Sequence, residues 1–253
     1  ADPFLAITKE EKRYVETRTR VDLRDVSGSM ASQFRQSRKS KAEIAMNAHL
    51  KFLEMRRGKN DRTAFWLFSD DPYPVQENFI VDDELYFLKA FDAPWELGTM
   101  EIDYWTEEQW GRYLIPKSRI LQVAGQGGTE LSPILKAVIQ LFDDDEKKQK
   151  KSSYYGSKGR SILIVTDAAI ADFDQTKPDF EKLSKRKIIP YIIFIDESAG
   201  EQNSDQLANI PKLLQEVVAR GGRFFPVSDE KAIENAYREI DKLEMVKVKV
   251  ERT

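Results

Sequence analysis

The chain has 253 residues, 41% hydrophobic and 33% charged, which describes a globular protein with a well-solvated surface and room for one large domain or two small ones. Its 40 basic residues face 43 acidic ones, a net charge of −3, which argues against nucleic-acid binding through bulk positive charge. With no cysteine and the single histidine His49, disulfide scaffolds, thiolate metal sites, cysteine nucleophiles and histidine-rich metal sites fall away together.

Ala1-Asp2-Pro3 reads as a cloning remnant, and no apolar run reaches the roughly 18 residues needed to span a bilayer. Residues 15–25 alternate with period two: Val15, Thr17, Thr19, Val21 and Leu23 on one face, Arg18, Arg20, Asp22 and Arg24 on the other. That predicts the first strand. A helix follows over about 40–55, with Ile44, Ala48, Phe52 and Met55 as its apolar stripe. Thr63 to Ser69 is the second strand, and the turn at Asp70-Asp71-Pro72 returns Tyr73 to Val81 antiparallel to it. A short helix is expected over 83–91, then an irregular, aromatic-rich stretch over 92–117.

Gly125-Gln126-Gly127-Gly128 leads into a helix with Pro133 in its first turn and Leu131, Leu135, Val138 and Phe142 on its buried side. The lysines from 147 to 151 read as a solvated face. Ser161 to Thr166 and Ile188 to Ile195 are near-continuous apolar runs, as expected of parallel strands covered on both sides. A short helix lies between them near 179–187. A longer one over 204–220 should carry Leu207, Ile210, Leu214 and Val217 inward, with a kink at Pro211. Gly221-Gly222 closes it, Arg223 to Val227 is a sixth strand, and the last helix, 229–244, should bury Ile233, Tyr237, Ile240 and Leu243.

This order predicts an α/β fold: an open, doubly wound, mostly parallel six-stranded sheet, order 3-2-1-4-5-6, with one antiparallel edge strand and helices on both faces. It is taken as one domain over 1–253, with its core at about 20–245.

In such a sheet the binding crevice lies outside the carboxyl ends of the strands, where the strand order reverses. Asp25 and Asp167 stand at two such ends. Bare carboxylates that close repel, so a proton or a cation must sit between them. Ser27 and Ser29 follow Asp25 on one tight loop, and Thr129 adds a third hydroxyl from the glycine-rich loop. This hard-oxygen set suits Mg²⁺ first, with Mn²⁺ or Ca²⁺ as alternatives, over zinc or copper. With two ligands bound through water, a coordination position stays open for an acidic group from elsewhere. The plainer alternative makes Asp25 and Ser27 ordinary turn and helix-cap residues.

Asp25-Val26-Ser27-Gly28-Ser29-Met30, Gly127-Gly128-Thr129 and Thr166-Asp167, in that order, resemble the metal-ion-dependent adhesion site (MIDAS) of the von Willebrand factor type A (VWA) domain. The resemblance runs from about Arg20 to Glu244 and includes the second strand ending Phe68-Ser69. The stretches from Gly221 to Asp229 and from Ala236 to Glu244 are similar to the bacterial Bat (aerotolerance) branch. The resemblance implies a non-enzymatic, cation-dependent protein-binding module, with the metal at Asp25, Ser27, Ser29, Thr129 and Asp167. It implies a partner presenting Asp or Glu, a MoxR-type AAA ATPase or other VWA proteins as partners, and no nucleic acid. It also implies a membrane tether outside the sequence given and a soluble domain on the extracytoplasmic, periplasmic side, with the cytoplasm as the alternative.

Two features depart from that family. Asp22 and Arg24 interrupt a strand that is usually apolar; buried, they must pair, and the alternative is a face covered only by loops or long side chains. The segment 92–117 is longer than usual and carries Trp95, Tyr104, Trp105, Trp110 and Tyr113, either a satellite core under a long loop or part of an interface. A metal-dependent phosphohydrolase is the rival function, and an accessory subunit of an AAA ATPase assembly is a third. The hydrolase lacks a second carboxylate in a D-x-D pair with Asp25, a positioned base, and an Arg or Lys clamp near the strand ends. His49 reads as a helix-surface or boundary residue, with no motif to make it a catalytic base. No phosphate-cradling glycine motif supports nucleotide binding.

Overall fold

The computed structural model describes residues 18–34, 37–55, 62–70, 72–74, 128–150, 159–168, 170–195 and 204–244. The expected strand beyond Pro74, the helix at 83–91, the aromatic segment 92–117 and Gly125 to Gly127 lie outside them.

Six strands form one sheet: β1 (Arg18–Asp25), β2 (Arg62–Phe68), β3 (Pro72–Pro74), β4 (Gly159–Thr166), β5 (Ile188–Ile195) and β6 (Arg223–Val227). Their order is β3-β2-β1-β4-β5-β6. β1 pairs parallel with β2 and β4, and the parallel run continues through β5 to β6, while β3 pairs antiparallel with β2 at the edge. The chain therefore builds outward from β1 in one direction and from β4 in the other. The reversal falls between β1 and β4.

Among the described residues, five helices flank the sheet: α1 (Lys41–Met55), α2 (Ser132–Lys150), α3 (Lys177–Lys185), α4 (Ser204–Val218) and α5 (Glu230–Glu244). The side chains of Ser40 and Asp229 cap α1 and α5 by accepting the Glu43 and Ala232 amides, at 3.1 and 2.7 Å. Alternation along the central strands splits the core in two. Ile162, Ile164, Ile192 and Phe194 pack with Leu135, Val138 and Phe142 of α2, Phe180 of α3 and Val217 of α4. Leu163, Val165, Ile193 and Ile195 face the other way, against Ala45 and Ala48 of α1 and Ile233, Tyr237 and Ile240 of α5. Apolar residues in an unbroken run are needed here because both faces are covered.

Two helix faces differ from the expected stripes. In α4, Leu213 is buried and Leu214 is 43% exposed. The inward line runs Asn209, Leu213, Val217, and the polar Asn209 conceals it in the sequence; its amide donates to the Ile170 carbonyl at 2.5 Å. In α5 the last turn runs beyond the buried stripe, leaving Leu243 40% exposed.

The two glycines between α4 and β6 have separate jobs. Gly221 takes φ +77°, a left-handed conformation that L-residues avoid. Gly222 passes so close to β5 that an added Cβ would lie 1.7 Å from the Pro190 carbonyl oxygen. Since that contact is backbone on backbone, Gly222→Ala should cost more than Gly221→Ala, about 3 kcal/mol against about 1 kcal/mol. Urea unfolding of both variants checks the order.

Candidate functional site

Asp25 ends β1 and Thr166-Asp167 ends β4, so parallel pairing brings them to the same edge of the sheet, at the reversal of strand order. Both carboxylates are fully buried. Asp25 is held from both oxygens: Oδ1 accepts the Ser27 amide at 2.9 Å and Oδ2 accepts the Thr166 hydroxyl at 2.7 Å. Thr166 Oγ1 in turn accepts the Ala168 amide at 3.0 Å. Ala168 itself has φ 63°, rare for a residue with a Cβ, and such strain concentrates at sites where the chain must turn sharply after a functional group.

The serine loop follows directly. Ser27 Oγ and Ser29 Oγ stand 3.2 Å apart, and in the single 3₁₀ turn over Gly28–Ala31 Met30 is buried in the core on the α1 and α5 side. Thr129 arrives from a different part of the chain and is buried. Its backbone is clasped on both sides: Glu130 N donates to Ser69 O, and Ala171 N donates to Thr129 O, each at 2.8 Å. Asp172 completes the clasp by accepting the Leu131 and Ser132 amides at 2.7 and 2.8 Å, capping the otherwise unsatisfied start of α2. All five residues expected from the sequence thus lie at this end of the sheet: Asp25 as the last residue of β1, Ser29 in the 3₁₀ turn, and Ser27, Thr129 and Asp167 on the connecting segments. The direct contacts join Asp25 to Ser27 and Ser27 to Ser29.

One residue gave no sign in the sequence. Lys41, the first residue of α1, is 2% exposed and its Nζ donates to Asp167 Oδ2 at 3.0 Å. A lysine thus stands at the strand ends, although its pairing with Asp167 means that it is not the substrate clamp a hydrolase would want. Nothing marks it beforehand, since it follows Arg38, Lys39 and Ser40 in a stretch that reads as solvated.

Burial, and then the facing Asp167 carboxylate, pushes Asp25 up from its ordinary value near 3.8 to about 7, against the hydrogen bonds from Ser27 and Thr166. This has a measurable sign. The unfolded chain loses the Asp25 proton near pH 4 and the folded chain keeps it to about pH 7. Between those limits the native state binds more protons, so stability in chelator falls as pH rises. At ~1.4 kcal/mol per unit the loss is on the order of a few kcal/mol. Asp25→Asn should flatten that slope in urea unfolding at pH 5 and pH 7.5.

Among the described residues, no three or more His, Cys, Asp or Glu side chains converge to hold a metal. Two buried carboxylates at neighbouring strand ends, one of them pushed up by burial and by the other, stand beside serine hydroxyls on a tight loop, a donor set that fits a hard, oxygen-preferring cation.

Behind Asp25, on the α1 and α5 side, β1 carries a buried polar cluster. Arg20 Nε donates to Asp22 Oδ1 at 2.8 Å, His49 Nδ1 lies 3.2 Å from Asp22 Oδ2, and Arg24 donates to the Tyr237 hydroxyl at 3.4 Å. The paired alternative for Asp22 holds, and the loosely covered face does not. His49 is also corrected: it is 1% exposed, with burial first and then Arg24 and Arg20 keeping it well below its ordinary value of 6.5.

No family model matches the chain, and no curated protein matches it. Solved structures do. An aerotolerance-related membrane protein from Bacteroides fragilis superposes with a TM-score of 0.51 at 16% identity, covering 90% of this chain and 98% of its own. BatB from Bacteroides thetaiotaomicron gives 0.51 at 15%, covering 89% and 98%. A von Willebrand factor type A structure from Catenulispora acidiphila gives 0.56 at 13%, covering 91% of this chain and 43% of that one. The chain has a von Willebrand factor type A fold. Within the VWA fold the aerotolerance-related structure and BatB match over nearly their whole length, in agreement with the resemblance carried by the C-terminal motifs. No helix among the described residues is long and apolar enough to cross a membrane.

Proposed function

We propose that this chain is a non-enzymatic protein-binding module that works through a divalent cation, Mg²⁺ by the chemistry of its donors. Ser27, Ser29 and Thr129 hold the ion, with Asp25 and Asp167 acting directly or through water. A Glu or Asp side chain from the partner protein completes the shell, and its charge-assisted bond to the ion supplies specificity. The observation that carries this reading is the pair of fully buried carboxylates at the reversal of strand order, where burial and mutual repulsion push Asp25 up to about 7. A cation relieves both penalties at once.

The VWA-type neighbours support an interaction module, and the neighbour described as a membrane protein supports placement of this single domain at a membrane. The extracytoplasmic side and a partner class of MoxR-type AAA ATPases, or other VWA proteins, follow from the Bat resemblance. The phosphohydrolase alternative gains a lysine at the strand ends but little chemistry: Lys41 is buried and committed to Asp167 rather than offered to a substrate.

Calorimetric titration with Mg²⁺ and Mn²⁺, followed by partner capture in Mg²⁺ and in EDTA, tests the proposal. Metal should bind to the native chain and weaken by about tenfold in Thr129→Ala, the loss of one charge-assisted oxygen contact. Capture that persists undiminished in EDTA defeats it, as does turnover of phosphate esters in Mn²⁺.

A further inference from the structure

We propose that the Lys41 ammonium is a built-in counter-cation of the carboxylate pair, and that a divalent ion binds only by displacing it from Asp167. The inference rests on the cation reading above and adds a competitor to it.

The geometry is specific. Lys41 Nζ donates to Asp167 Oδ2 at 3.0 Å, and both side chains are shut away from solvent, at 2% and 0% exposure. A buried lysine is retained only against a partner, because an uncompensated charge in the interior is costly. The root of the side chain is fixed as well: Lys41 N donates to Ser32 O at 3.1 Å, which ties the first turn of α1 to the loop bearing Ser27 and Ser29. Lys41 therefore reaches Asp167, the acidic end of β4, from the start of a helix that is itself tied to the serine loop.

One positive charge can balance one carboxylate. Asp167 has the ammonium, while Asp25 has two hydrogen-bond donors. A divalent ion drawn to both carboxylates meets the ammonium at close range, in a setting where water screens poorly, so the two cations repel. The flexible four-carbon stem of lysine gives the simplest release: the head swings away as the ion arrives. The cost of that exchange lowers metal affinity. It makes occupancy reversible and sensitive to whatever else helps pull the ammonium aside, including a partner's carboxylate.

The test compares the full chain with Lys41→Met, which keeps length and apolar bulk, and Lys41→Arg, which keeps charge, using Mn²⁺ alone as the probe. Removing the charge should tighten Mn²⁺ binding by about tenfold or more, and Lys41→Arg should stay within about threefold of the native chain. Lys41→Met should also melt earlier than the native chain in EDTA and recover more on adding Mn²⁺. A second measurement needs no variant: acetylation of Lys41, mapped by peptide mass, should be slow in EDTA and accelerate at saturating Mn²⁺.

Equal Mn²⁺ affinity in the native chain and Lys41→Met overturns the inference and leaves the cation reading standing. So does a native chain that binds Mn²⁺ with Lys41 still protected from acetylation, which decides the matter if Lys41→Met does not fold. Binding gained only in Lys41→Met supports displacement in its strongest form. No binding in any of the three chains overturns the cation reading, and the inference with it.

Discussion

Asp22→Ala should destabilise the protein by ~3–5 kcal/mol, the range expected when one partner of a buried charge cluster is removed. Asp22 accepts Arg20 through both oxygens, at 2.8 and 3.3 Å, and lies 3.2 Å from His49. Its carboxylate is the acid of a cluster that also holds Arg24, and all four residues are buried. Alanine leaves two guanidinium groups facing the interior without that carboxylate. Asp22→Asn, which keeps the shape and loses the charge, should fall between alanine and the native residue. Because β1 ends three residues later in Asp25, the damage should also reach the site. Equilibrium urea unfolding gives the stability, and an alanine variant within ~1 kcal/mol of the native protein would show that other carboxylates carry the balance.

Asp25→Ala is the second large effect, and it should separate function from stability. Metal binding should be abolished, because in the proposed site Asp25 is one of two acidic groups that hold the ion, directly or through water. The fold should survive, since the residue stands at the end of a strand and not within the packed layers. Removing it also removes its repulsion with Asp167 and its own desolvation, which outweigh the bonds from Ser27 and Thr166. In EDTA at pH 7.5 the melting temperature should therefore stay level or rise, while the shift on adding Mg²⁺ or Mn²⁺ disappears. A variant that keeps the metal shift would remove Asp25 from the site. One that melts much earlier would show that its hydrogen bonds to Ser27 and Thr166 outweigh the repulsion.

The parallel sheet with helices on both sides was legible because fully buried strands leave little choice of residue. Residues 161–166 and 188–195 could hardly be anything else. The acidic strand ends and the serine loop were legible for a different reason: carboxylates and hydroxyls that follow directly on strand patterns break those patterns and stand out. Three things were not legible. His49 and Lys41 look like ordinary helix-surface residues, because the rule that buries apolar side chains says nothing of a polar or charged group whose partner sits on a distant strand. The face of α4 was rotated because its inward line includes Asn209, whose partners are carbonyls of the segment after β4. The polar side of β1 was visible as a problem; part of its answer, Arg20 beside Asp22, lay on the same strand, and the rest, His49 and Tyr237, lay on α1 and α5, far away in sequence.

The clasp around Thr129 has a mechanical consequence. Thr129 O holds Ala171, Asp172 holds the first amides of α2, and Ser132 Oγ donates to Asp179 of α3 at 2.8 Å. The threonine is thus riveted to the segment that follows Asp167, and through it to the foot of two helices on one side of the sheet. The serine loop, by contrast, is joined to α1 on the opposite side. A load applied between Thr129 and the serines would pull on two separate plates with the sheet as their common axle, so the stiffness of this end of the molecule is set by what spans the gap.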